Sequence, residues 1–410
     1  MKIERDNNDF GNSTSNFLSD SYYYETSTAV AQLTKQEAES YLTSSVESTD
    51  DLLDRLLIST IINDEEKFYL VGKIAENHPK LINVNGHMHD KVTSLVPLVT
   101  FRAKIAYYYK LNSKENKLED TVEIERLKMM LPIWLLKRED KFSTAQNKMA
   151  DRFKGQHQVS LLTPGMEVDL TIKVKEAKCY VESEVARWAL KYKVVNDEHS
   201  KTVVKKRTEE IEQFNTTETV FVDIGGGSTD AVLLTKGLNA PISKDSFQVV
   251  NIQPFLGSLE DLMKNKLLQH FSSVKVLEKF IVDNYSKQKY ILNDPNTGDK
   301  HDLTKDITDM LNEYAELLVT KVTDTFNTIA NRRELKYVYF GGEAPILAPY
   351  IKTFITNRYS EEIAERNHYF LSDILNEDSK EIFRPTSRTV NSAALEIISL
   401  NELIKVEATK

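Results

Sequence analysis

Val220-Phe221-Val222-Asp223-Ile224-Gly225-Gly226-Gly227-Ser228-Thr229-Asp230-Ala231-Val232-Leu233-Leu234 is the stretch from which the rest of the chain can be read. An apolar strand delivers an aspartate into three glycines, and a second apolar strand leaves them. Three consecutive glycines let backbone N–H groups point into one concavity, which cradles phosphate oxygens without side-chain obstruction. Ser228 and Thr229 add hydroxyl donors. Asp223 would repel a bare polyphosphate, so a carboxylate beside such a cradle calls for an intervening cation, and hydrated Mg²⁺ suits it. The competing reading is a tight β-hairpin with no ligand, but a hairpin needs neither three glycines nor a buried acid.

Glycine is rationed elsewhere. The chain has 13 in 410 residues, about 3% against a usual ~7%. Besides Gly225–Gly227, only Gly341-Gly342 places glycines side by side, inside Tyr337-Val338-Tyr339-Phe340-Gly341-Gly342-Glu343-Ala344-Pro345-Ile346-Leu347. There a strand ends in Gly-Gly and turns into a helix, with Pro345 in its first turn. Such a turn lets a flat base or a ribose lie against backbone.

Composition sets the outer limits. Apolar content of 40%, charged content of 28% and 9% aromatics describe a folded globular chain and exclude disordered, collagen-like and coiled-coil classes. Its length is that of two large domains. A formal charge of −9 disfavours a surface that coats nucleic acid or anionic lipid. The one cysteine, Cys179, makes no internal disulfide and fits a reducing compartment, the cytoplasm. Met1–Phe10 lacks the apolar core of a secretory signal, and no apolar run approaches the ~20 residues of a membrane span.

The element pattern is α/β. Strands are predicted within 51–72, from Thr121 to Leu136, at Gln158–Leu162 and Glu167–Val174, at Phe247–Ile252 and at Lys336–Phe340. Helices are predicted at Ser94–Tyr109, Ser183–Tyr192, Ser258–Phe271, Thr304–Asn331, from Ala344, and at Val390–Ile404. Val194–Thr219, rich in Lys, Glu, Asp and Thr, reads as an exposed connection or a solvated helix.

The triple-glycine segment resembles the second phosphate-binding motif of the actin, Hsp70 and sugar-kinase superfamily. Its aspartate–apolar–glycine–x–glycine–x–threonine–aspartate form is met at Asp223, Gly225, Gly227, Thr229 and Asp230. That superfamily carries two such hairpins, one per domain. The resemblance therefore implies a first copy at Asp9-Phe10-Gly11-Asn12-Ser13-Thr14-Ser15-Asn16-Phe17, where Asp9 joins Asp223 as a metal-side carboxylate and Gly11, Asn12, Ser13, Thr14 and Asn16 face phosphate. This copy departs from the pattern twice. The strand Lys2–Asn8 is nearly all polar, and Asn16 stands where many relatives have a lysine. Gly341, Gly342, Glu343 and Ala344 resemble the adenosine motif, and Gly257 matches a glycine that approaches the ribose, with adenine contacts expected from Lys275–Lys287. Val181–Ala186 occupies the place of a connecting helix, where the resemblance makes Glu184 the residue that positions the attacking water, with Glu182 as its rival. Val390–Leu395 resembles the second connecting helix.

Other chemistries find little in the sequence. His87-Met88-His89 has no cysteine or second histidine pair to complete a metal site, and neither a Gly-x-Ser-x-Gly elbow nor a Walker-A loop occurs. Within the superfamily, low glycine content argues against sugar and acetate kinases, and the length leaves no room for an Hsp70 peptide-binding domain. Phe68–Gly72, His89–Ser94, Leu131-Pro132-Ile133 and Thr163-Pro164-Gly165 look, in that order, like the ParM-like bacterial actins. This resemblance implies an actin-like (ribonuclease H-like) fold, with domain I from 1–185 and 388–410 and domain II from 186–387. It further implies ATP or GTP with Mg²⁺ in a cleft between the domains, hydrolysis coupled to head-to-tail filaments, and plasmid DNA as cargo reached through a DNA-binding adaptor protein. Neither direct nucleic-acid contact nor membrane attachment is expected. A non-polymerising ATPase or small-molecule kinase of the same superfamily is the alternative.

Overall fold

The computed structural model describes residues 1–82, 89–113, 117–375 and 380–408. The chain forms two compact units: Met1–Val185 joined by the C-terminal segment from Asn391, and Ala186–Val390.

The first unit is built on a nine-stranded sheet. Its order is Tyr22–Ser27, Thr14–Ser19, Lys2–Phe10, Glu119–Leu131, Val168–Val181, Gly155–Leu161, Leu56–Ile62, Glu65–Val71 and Val30–Leu33. Lys2–Phe10, Glu119–Leu131 and Val168–Val181 are mutually parallel, and the strands outside them pair antiparallel. A strand between parallel and hairpin neighbours ordinarily reads as an apolar run. Lys2–Phe10 does not, yet Asp6, Asn7 and Asn8 are fully buried in it.

The alternation of side chains along a strand resolves this, because each face meets a helix that brings complementary charge. On one face Lys104, from the helix Leu95–Asn112, forms an ion pair with Asp6 and donates to Asn8 Oδ1 at 2.8 Å, while Ser19 Oγ donates to Asp6 at 2.6 Å. On the other face Glu396, from the helix Val390–Ala408, accepts from Asn7 Nδ2 at 2.7 Å and from Arg5 Nε at 3.1 Å. Ser399 Oγ also donates to Asn7 Oδ1 at 2.8 Å. The strand is polar because its neighbours supply partners.

The apolar run ending at Leu136 is only partly strand. Pro132, with φ −67° and ψ 153°, has no N–H to continue the ladder, and Ile133–Lys137 turns into a short buried helix.

In the second unit a five-stranded sheet runs in the order Phe247–Val249, Thr229–Leu234, Glu218–Ile224, Leu335–Phe340, His368–Phe370. Glu218–Ile224, Leu335–Phe340 and His368–Phe370 are parallel. The amphipathic helices Thr304–Ile329 and Ala344–Arg358 bury Leu311, Leu318, Val322, Leu347 and Ile351 against Val220, Val222 and Tyr339. Three expectations are corrected. Ser183–Tyr192 is a turn followed by the single helical turn Arg187–Lys191; Ser183 has φ +66°, which a helix cannot contain. Val194–Thr219 holds a hairpin, Tyr192–Asn196 with Thr202–Lys206, in which Val194 faces Val204 and Val195 faces Val203. Ser258–Phe271 starts earlier, as the helix Phe255–Leu262, and widens to a π-helical turn at Met263–Leu267.

Candidate nucleotide site

In the second unit Glu218–Ile224 and Thr229–Leu234 form the antiparallel hairpin read from the sequence, with Asp223 opposite Asp230 and Ile224 opposite Thr229. The turn between them closes through Gly225 N–H to Ser228 O at 3.0 Å. A Cβ on Gly225 would meet that same oxygen at 3.0 Å, and one on Gly226 would meet Leu256 Cγ at 3.0 Å. Gly226 O accepts from Leu256 N–H at 3.0 Å, so the helix that contains Gly257 abuts the turn through its first residues.

The neighbouring parallel strand brings the second glycine pair to the same edge. Asp223 lies opposite Phe340 in the register, which sets Gly341 beside Ile224, the residue before Gly225, at the carboxyl ends of their strands, the edge at which open α/β sheets bind ligands. Gly341 has φ +100°, and a Cβ there would come within 2.5 Å of both Asp223 Oδ1 and Ile224 O. Only glycine fits that crossing. Glu343 N–H then donates to Ile224 O at 3.0 Å, and the helix Ala344–Arg358 begins, with Pro345 in its first turn. Asp223, Gly225–Asp230, Gly341, Gly342, Glu343 and Ala344 are thus brought together, with Gly257 on the abutting helix.

In the first unit Lys2–Phe10 and Thr14–Ser19 form the other hairpin, with Asp9 opposite Asn16 and Phe10 opposite Ser15. Gly11 is pressed against Thr14: a Cβ would sit 2.3 Å from Thr14 O. Asp9, Gly11, Asn12, Ser13 and Thr14 are half-buried, and Asn16 is buried with Tyr23 Oη donating to its Oδ1 at 3.1 Å. Leu131 pairs with Val181, and Asn8 with Met129, so the Gly11 turn and the Glu182–Glu184 turn emerge at one edge of the sheet.

That turn separates the two glutamates. Glu182 accepts from Lys91 Nζ at 2.7 Å, an ion pair in which the lysine side chain is only 6% exposed. Glu184 is half-buried, and its N–H donates to Glu182 O at 2.7 Å.

Neighbours with no sequence signature also stand at the second-unit site. Arg388 lies with Nη2 3.8 Å from the Cβ position of Gly342, behind the Arg384–Ser387 turn whose Ser387 O accepts from Gly341 N–H at 2.9 Å. Burial, then the charge of Glu278, pushes Glu343 up to about 8, with Arg388 opposing. Glu278 falls in the Lys275–Lys287 stretch expected near adenine, but as an electrostatic neighbour of Glu343. His87-Met88 lies outside the described residues. Among the described residues no three His, Cys, Asp or Glu side chains are grouped to hold a metal ion, so a cation here would depend on substrate oxygens and water as well as carboxylates.

Compared with known proteins, residues 218–374 match the family described as Alp7A C-terminal domain. The crystal structure of the actin-like protein Alp7A is 43% identical to the chain, covering 100% of it and 99% of that protein, with a TM-score of 0.86. The chain belongs to the actin-like Alp7A family. The Alp7A likeness extends over both hairpins and the actin-like fold that carries them. Bacillus thuringiensis ParM with ATP shares that fold at 15% identity and a TM-score of 0.64, covering 98% of this chain and 99% of that one. A 15-stranded ParM filament from Clostridium botulinum does so at 12% identity and 0.62, covering 98% and 100%. No curated protein matches the sequence. Among the described residues no helix is long and apolar enough to cross a membrane.

Proposed function

We propose that this Alp7A-family chain is a nucleotide-dependent filament former of the cytoplasm that hydrolyses ATP or GTP and segregates plasmid DNA. The observation that carries the reading is the convergence of Asp223, the triple-glycine turn and the Gly341-Gly342 turn at one sheet edge. Backbone N–H groups of Gly226–Ser228 and of the Gly11–Thr14 turn hold the phosphates, with Gly225, whose own N–H closes the turn, allowing the close approach, and Gly341–Ala344 with Gly257 hold the nucleoside. Asp9 and Asp223, each near the end of the strand that leads into its glycine, would hold Mg²⁺, which would supply charge neutralisation at the phosphates. Glu184 orients the attacking water and accepts its proton; Glu182 is committed to Lys91. Partners are further copies of this chain in a head-to-tail array and a DNA-binding adaptor at the plasmid. The ATP-bound ParM and the ParM filament support the nucleotide and the self-association by analogy of fold.

Sedimentation and electron microscopy with Mg-ATP and Mg-GTP test this. Filaments are expected in the wild type, and Asp223→Ala is expected to lower turnover at least about 100-fold with the fold retained. A protein that stays dispersed and phosphorylates a small molecule would instead be a kinase of the same fold.

A further inference from the structure

A carboxyl group leaves water only when something takes the place of its solvation. Glu343 is 3% exposed, at the N-cap of the 15-residue helix Ala344–Arg358, between the two glycine turns. Its Oε1 lies 3.5 Å from the Cβ position of Gly226, the middle glycine of the phosphate turn, while its Oε2 is buried without a hydrogen-bond partner. Ionisable groups from three separate elements act on it. Glu278 projects from the helix Val274–Asn284, Tyr314 from the helix Thr304–Ile329, and Arg388 from the segment before the C-terminal helix. Asp223 and Asp230 flank the hairpin, with Asp223 Oδ1 against Gly341. Tyr314 Oη is itself buried, beside Thr229. Among these neighbours the one cation, Arg388, is solvent-exposed, where its charge is screened. A neutral carboxyl at this spot has one O–H to donate and a carbonyl to accept; an ionised one adds negative charge directly behind a turn built for phosphate.

We propose that Glu343 is a positioning residue for the phosphate turn: as the neutral acid it supports Gly226 with its N–H groups presented to a nucleotide polyphosphate, and as the carboxylate it repels that ligand. This rests on the nucleotide reading above. Because burial holds the group protonated up to about pH 8, nucleotide affinity and the protonation of one buried acid are linked, and binding near pH 8 takes up protons.

Calorimetric titration of the full chain with Mg-ATP and Mg-GTP between pH 6.5 and 9.5, repeated at pH 8 in two buffers of different ionisation enthalpy, tests it. The wild type is expected to lose about tenfold in affinity between pH 7 and 9 and to take up a fraction of a proton at pH 8; Glu343→Gln removes both effects. A Gln variant that follows the wild-type pH profile, or a wild type that binds without proton uptake, overturns the proposal. Should Glu343→Gln fail to fold, the wild-type proton count decides alone. No binding by the wild type at any pH would sink the nucleotide reading itself, and this inference with it.

Discussion

At the scale of single residues, the site is a matter of which atoms are left out. Gly341 sits at φ +100° with Asp223 and Ile224 2.5 Å from where its Cβ would be. Gly341→Ala therefore combines an unfavourable backbone conformation with a backbone clash and is expected to destabilise the second unit by at least about 2 kcal/mol in urea unfolding. The two glutamates of the 182–184 turn should part company in the same way. Glu184→Gln is expected to lower turnover by about 100-fold or more while the melting temperature holds. Glu182→Gln, which weakens the partner of nearly buried Lys91, should lower the melting temperature with a smaller effect on turnover. The triple glycine was readable because nothing but close backbone approach demands it. Arg388 and the burial of Glu343 were not, since both depend on segments that meet only in the folded chain.

At the scale of elements, the strand Lys2–Phe10 carries the lesson. Its sequence alternates charged and amide residues and looks like a surface segment, yet it lies inside the sheet. Lys104 and Glu396, about 100 and 390 residues away, are what make this possible. Pattern reading prices a residue by its own polarity; it has no access to a partner so distant. Removing one partner leaves the other charged in the interior, so Lys104→Met is expected to cost about 3–5 kcal/mol in denaturant unfolding. The double variant Lys104→Met, Asp6→Leu should recover part of that loss. The same blindness accounts for Tyr192–Lys206: the valine pairs Val194-Val195 and Val203-Val204 mark its two strands, but surrounding lysines and glutamates masked them. By contrast the apolar strands of the second unit and the long helix Thr304–Ile329 were legible from periodicity, because their burial is satisfied by apolar contact alone.

At the scale of the whole molecule, the actin-like fold followed from the order of the glycine motifs along the chain, and the full-length likeness to Alp7A bears it out. Two buried histidines weaken the fold in acid. His368 packs flat on Tyr337 at 4.7 Å with Tyr339 Oη 3.0 Å from its Nδ1, and burial lowers its pKa from 6.5 to about 4. His157 accepts from Arg102 at Nδ1 (3.0 Å) and donates from Nε2 to Phe153 O (2.8 Å), and burial lowers it too. In each case the unfolded chain binds the proton more readily than the folded one. The stabilisation is complete above about pH 6.5 and declines as pH falls toward 4, by up to about 3 kcal/mol for His368. In urea unfolding between pH 6.5 and 4 the stability of the wild type relative to His368→Gln should fall with this slope, a difference in which the opposite contribution of Glu343, protonated in the folded chain up to about pH 8, cancels.

The hydrogen bonds from Glu396 and Ser399 to Asn7 have a bearing on how the protein is made. On the ribosome Asn7 is translated 389 residues before its companion Glu396. The 186–390 stretch is continuous and can complete its own sheet while synthesis proceeds; the first unit, whose sequence is split by that stretch, must wait with an amide and a guanidinium unanswered. Nascent chains stalled before residue 390 should therefore resist protease in the inserted half and be cut readily in the first 180 residues.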